Sequence, residues 1–154
     1  MNKFINQYIT LNQLEPGMSI AEASKIVGPL FLSVREQGKT LGINEYVSEH
    51  VEGLKVFTDP GERVIKIIHA SSLEIEGNTV LSIGSRKESI LGLFGEATNK
   101  KGDSRQYWSY HSLGQNKIGI NFIFEGAQLI GISNIDFQAL ASFKEAKRRE
   151  QEGL

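Results

Sequence analysis

Two stretches of this chain repeat the same glycine spacing. Gly17 and Gly28 stand eleven residues apart, as do Gly84 and Gly95, and the copies are offset by 67 residues. Each stretch has a polar start and a late apolar pair, Ile26-Val27 and Leu93-Phe94. Further on, Val56-Phe57 is answered by Ile123-Phe124, and Ile65 and Ile67 by Ile130 and Ile132. A shared order of helix, strand, turn and strand constrains a fold more than any single motif, and a period of this kind signals duplicated supersecondary units.

The first stretch reads as a short helix. Ser19 is its N-cap, and Glu22, three residues on, completes a capping box. Ile20, Ala23, Ile26 and Val27 make its apolar face, and Gly28-Pro29 stops it. In the second stretch Gly84 or Ser85 opens the helix, Ile90, Leu91 and Phe94 face inward, and Gly95 closes it. Gly92 lies inside that helix, where close packing on a sheet is the expected reason for a glycine. The remainder of each copy alternates as antiparallel sheet with turns at Gln37–Lys39, Asp59–Gly61, Gly114–Asn116 and Glu125-Gly126. Residues 71–82, which join the copies, look too structured for a tether. Asp136 caps a last helix that ends in a run of charge.

These readings predict an α+β protein. Residues 1–78 and 79–135 each form a short helix packed on an antiparallel meander, and 136–154 form a C-terminal helix. The 154-residue length suits one domain or two small fused ones, and 40% hydrophobic content describes a globular protein. Cysteine is absent, which excludes disulfides and thiol chemistry and fits a reducing compartment. No stretch has the length of a membrane span, and the amide-interrupted N-terminus lacks a secretory signal, so a cytoplasmic location is expected.

The net charge of −1 hides an asymmetry. Residues 12–78 hold ten acidic and six basic side chains, and residues 79–135 hold four acidic and six basic. The acid gathers in Glu45, Glu49, Glu52, Asp59 and Glu62, a candidate surface for a basic partner or simply a solvated face. No broad basic surface of the kind nucleic acid requires is present. Tyr107, Trp108, Tyr110 and His111 crowd one strand. Alternation sends Trp108 and Tyr110 to one face, and Tyr107 and His111 to the other with Lys117, Asn121 and Ile123. Tyr107, His111 and Asn121 are therefore candidate partner-binding residues on a free face.

Catalytic motifs are missing. The chain has no nucleophile elbow, phosphate-binding loop or His-Glu-x-x-His. His50, His69 and His111 stand in unrelated contexts, so neither enzyme activity, metal nor cofactor is expected.

The opening Gly17-x-Ser19-x-x-Glu22, the closing Gly28-Pro29 and the Trp108-x-Tyr110 strand together resemble the superfamily of β-lactamase inhibitory proteins and the small outer-membrane assembly lipoprotein. Gly84, Gly95, Gly126, Leu129 and Ile132 carry the likeness in the second copy. The resemblance implies a concave sheet, with Trp108 and Tyr110 under the helix, that grips another protein. That family branch is secreted and disulfide-bonded, and this chain lacks both features. The expected function is thus a protein-binding inhibitor, a cytoplasmic bacterial immunity protein that occludes a toxin or enzyme. The alternatives are a small-molecule-binding domain or enzyme using the sheet concavity, and a structural subunit of an assembly.

Overall fold

The structure, a computed structural model, describes residues 7–33, 44–58 and 64–135. In chain order these form β1 (Ile9–Leu11), α1 (Ile20–Val27), β2 (Leu30–Ser33), β3 (Asn44–Ser48), β4 (Lys55–Thr58) and β5 (Ile65–Ala70). There follow β6 (Ser72–Ile75), β7 (Asn78–Ser82), α2 (Lys87–Phe94), β8 (Asn99–Lys101), β9 (Arg105–Leu113), β10 (Ile118–Glu125) and β11 (Gln128–Ile135).

The expected α+β class, with helix-on-meander repeats and a C-terminal helix, is overturned. The described residues are 55% strand and 14% helix, with two helices among them, so the protein is mostly β. The physical reason is local. Each helix lasts only eight residues before a glycine ends it, whereas strand pairing recruits segments too short to announce themselves, such as the three-residue Ile9–Leu11 and Asn99–Lys101. The expected C-terminal helix over 136–154 lies outside the described residues.

The chain divides into two compact units, one taking residues 7–13 with His69–Ile135, the other Leu14–Ile68. In the second of these, β2, β3 and β4 pair antiparallel in sequence order. The capping box of α1 forms: Ser19 Oγ accepts from Glu22 N at 3.1 Å, and Glu22 Oε1 accepts from Ser19 N at 3.2 Å. At the far end a side chain on Gly28, which has φ +86°, would collide with the His50 ring, 2.6 Å from Cδ2. Ala23 and Val27 are buried, as are Tyr46, Leu54, Val56 and Ile65, while Ile26 faces out.

The larger unit holds two sets of strands. β9, β10 and β11 form an antiparallel meander, with β8 beside β9 and the end of β5, His69 and Ala70, beside β11. The second set, β1, β6 and β7, is built from the N-terminal strand and the segment joining the copies. Asn116 docks β1: its amide donates to the Ile9 carbonyl at 2.7 Å and accepts from Ile9 N at 3.1 Å. Buried Glu74 ties the same set together, accepting from Thr10 Oγ1, Gln13 N and Ser72 Oγ at 3.1, 2.7 and 2.6 Å. A buried carboxylate needs such donors, because burying it bare is costly.

α2 starts at Arg86 without a side-chain cap, because Ser85 Oγ instead accepts from Ser82 N at 3.1 Å. Ile90 and Phe94 are buried; the Phe94 ring lies 5.8 Å from Tyr110 and stacks on Phe122 at 6.1 Å, and Tyr110 meets Phe122 edge-on at 5.6 Å. Gly92 does not serve packing: a side chain there would meet nothing within 4 Å.

Lys117 is not a strand residue on the Asn121 face. It sits in the turn before β10 with φ +51°, outside the strand in which Ile118, Ile120, Phe122 and Phe124 point inward.

Two stability changes follow. Gly92→Ala should raise the unfolding free energy by about 0.5–1 kcal/mol, since an exposed helical glycine has only its backbone entropy to lose. Phe122→Ala should lower it by about 3–5 kcal/mol, because the ring is fully buried. Denaturant titration measures both; a loss at Gly92→Ala would mean that the position is crowded or non-helical.

Candidate functional site

The two faces of β9 are made by alternation. Trp108 and Tyr110 point under α2 and are buried. Tyr110 Oη donates to the Gly95 carbonyl at 2.8 Å, joining the sheet to the end of the helix. Burial, and secondarily the carboxylate of Glu96, push its pKa up to about 12. Trp108 lies 4.7 Å from the Phe124 ring and donates from Nε1 to Gln106 Oε1 at 3.3 Å. Lys100 Nζ stands 4.2 Å over the indole and 2.9 Å from Glu96 Oε2, and Lys87 Nζ donates to Gln106 Oε1 at 2.7 Å. This polar trim closes the core and leaves Trp108 no access for a ligand.

The opposite face carries the candidate site. Register aligns two cross-strand rows there. One runs Lys101, Tyr107, Ile123, Gly131. The next runs Asn99, Ser109, Asn121, Ser133, His69. Tyr107 is 36% exposed, and Ile123 beside it is half-buried. Ile123 lies across Gly131, where an added side chain would come within 3.0 Å of its Cδ1. Ser109 Oγ and Asn121 Oδ1 are hydrogen-bonded at 3.1 Å. His111 is exposed further along β9, and its backbone N–H donates to Thr98 Oγ1 at 3.1 Å.

Tyr107, His111 and Asn121 thus share one face, and the register adds Lys101, Ser109, Ile123, Ser133 and His69. Period-2 alternation reveals which residues of one strand face together, but only pairing reveals their neighbours on other strands.

The acidic candidates belong to the other unit. Glu45 on β3 is mostly buried, with Lys55 Nζ 3.9 Å from Oε1. Glu49 and Glu52 are exposed in the turn between β3 and β4, where Ser48 Oγ accepts from Val51 N at 2.9 Å. Asp59 and Glu62 lie outside the described residues. Among the described residues no group of three or more histidine or acidic side chains is placed to hold a metal ion, and no helix is long and apolar enough to cross a membrane.

Comparison with family models, with curated proteins and with solved structures found no match.

The Tyr110 hydroxyl gives a pH test. Its folded pKa lies above the unfolded value of about 10, so the folded state holds the proton more tightly. The stability this contributes is complete below about pH 10 and is lost as pH rises towards about 12. Denaturation across that window should show the decline in the native chain and a flatter profile in Tyr110→Phe; matching profiles would mean that the hydroxyl is solvated.

Proposed function

We propose that the chain binds another protein and occludes it, as a cytoplasmic bacterial immunity protein directed at a toxin or enzyme. The observation that carries this reading is the open face of β8 to β11, where Tyr107 stands exposed beside Ile123 and a row of amides and hydroxyls. A tyrosine offers large contact area at small entropic cost, and neighbouring small polar groups supply adaptable hydrogen bonds. The resemblance to inhibitory proteins that grip a partner with a sheet points the same way. Glu49 and Glu52, exposed on the other unit, would speed the approach of a basic partner by steering. The absence of cysteine is compatible with a reducing compartment.

Affinity purification of the tagged chain from its host, followed by mass spectrometry, identifies the partner. Tyr107→Ala should then weaken binding by roughly 30-fold, the ~2 kcal/mol of an interface anchor. Its melting temperature should stay unchanged. Glu49→Gln with Glu52→Gln should slow association more than it hastens dissociation. Absence of a stoichiometric partner, or full affinity in Tyr107→Ala, would count against the reading.

A further inference from the structure

The two units finish their sheets differently. β8 is the outermost strand beside β9 and reads Asn99-Lys100-Lys101; β2 is the outermost strand beside β3 and reads Leu30-Phe31-Leu32-Ser33. Cross-strand rows show how closely the two edges correspond. Lys100, Trp108 and Phe122 form one row, and Leu32, Tyr46 and Val56 form its counterpart. In the first, the apolar layer under α2 ends in a lysine laid over Trp108. In the second, the layer under α1 ends in Leu32, which is 53% exposed. Phe31, on the other face of β2, is 46% exposed, and Ile26 in the last turn of α1 is 47% exposed. An exposed strand edge is a template for another strand, and lysine is a usual guard against it. Among the described residues, one edge is guarded by lysine and the other, Leu30–Ser33, is uncharged with apolar side chains on both faces.

We propose that β2 pairs antiparallel with β2 of a second copy of the chain, about a two-fold axis at Phe31. Charge selects this occupant. Leu30–Ser33 holds no charge, so self-pairing sets no like charges opposite each other, whereas the same operation on β8 would set lysine beside lysine. Register supports it as well. Centred on Phe31, the pairing sets Phe31 against its own copy and Leu30 against Leu32. Opposed residues share a face, so an aromatic pair forms on one side and the apolar layer that ends at Leu32 continues on the other. Such an interface is isologous and closes at two copies, avoiding the open-ended addition that an unguarded edge otherwise invites. The pairing is independent of the open face around Tyr107 and of the function proposed for it.

Sedimentation equilibrium of the full chain tests the pairing. The mass should rise from one chain to two with concentration, and Leu32→Lys, which gives β2 the amine that β8 carries, should return it to one. The chain has no cysteine, so Phe31→Cys introduces a unique thiol. Opposed residues in an antiparallel pair lie about 4.5–5.5 Å apart at Cα, within disulfide reach. Mild oxidation should therefore couple Phe31→Cys into a covalent dimer and leave Val80→Cys, at an exposed position on the other unit, uncoupled. A single-chain mass at every concentration overturns the proposal, as does a dimer that survives Leu32→Lys in folded form. Protection of β2 from hydrogen exchange only when a partner from the host is added would assign the strand to that partner and likewise overturn it. If Leu32→Lys proves unfolded by circular dichroism, the cross-link decides: coupling at Phe31→Cys supports the pairing, and none refutes it.

Discussion

A pair of short backbone bonds sets the frame of each helix. Gly17 N donates to the Ile65 carbonyl and Ile65 N to the Met18 carbonyl, both at 2.8 Å. Gly84 N and the Leu129 carbonyl, with Leu129 N and the Ser85 carbonyl, repeat the arrangement at the same distances. Each clamp joins the residues before a helix to the start of a strand more than forty residues later. Closing so long a loop is entropically costly, and the bonds repay it only if the intervening strands are already in register. The clamps explain the glycines at 17 and 84. Both have φ near +100° with open space around them, so it is backbone conformation and not crowding that requires glycine. Beyond each clamp a single bridge, Ser19 to Val64 and Arg86 to Gln128, aims the helix across its strands.

Once the helix is aimed, the faces of the strands acquire different tasks. Ile65 and Leu129, the strand members of the clamps, are fully buried, and burial then departs from strict alternation along both β5 and β11. Ile65, Ile67, Ile68 and Ala70 are buried in one, and Leu129, Ile132 and Asn134 in the other. The adjacent buried pair Ile67-Ile68 in β5 and the step from Leu129 to Ile132 in β11 each break the alternation. In β11 the break coincides with the register shift between Ile123 and Phe124, which leaves Ile130 facing out.

That break shows where sequence reasoning reached its limit. The helices were legible because their signals are local: glycines at fixed spacing, and Ser19 with Glu22. The strand correspondences were not. Matching Ile65 with Ile130 fails because the clamp pairs Ile65's counterpart at Leu129. Matching Phe57 with Phe124 fails because Val56 and Thr58 point inward in β4, while Phe122 and Phe124 do so in β10. A slip of one residue reverses every side chain, and similar apolar residues on both faces hide it. The set of β1, β6 and β7 was illegible for another reason. Asn116 holds Ile9 across 107 positions, and Glu74 holds Thr10 across 64, so nothing near β1 announces its place. The candidate face was half legible: alternation placed Tyr107 and His111 together, while Ser133 and His69 joined it only through pairing.

The same division separates residues that maintain the fold from residues free to serve binding. On β9 the inward side is over-determined. Trp108 is held by Phe124, Gln106 and two lysines, and Tyr110 by Phe94, Phe122 and the Gly95 carbonyl. Tyr107 and Ser109, which alternate with them along the strand, point the other way and hold up none of that packing. A strand fixed so firmly by one face can present arbitrary chemistry on the other without loss of register. An exposed tyrosine supported by a rigid strand also has little freedom left to lose when something settles on it, and this lowers the entropic cost of recognition there. The acidic residues of the other unit differ in kind. Glu45 is mostly buried beside Lys55 in the β3–β4 pair, and only Glu49 and Glu52 extend into solvent. Under the proposed reading, those two would serve the approach of a basic partner and the Tyr107 face its contact.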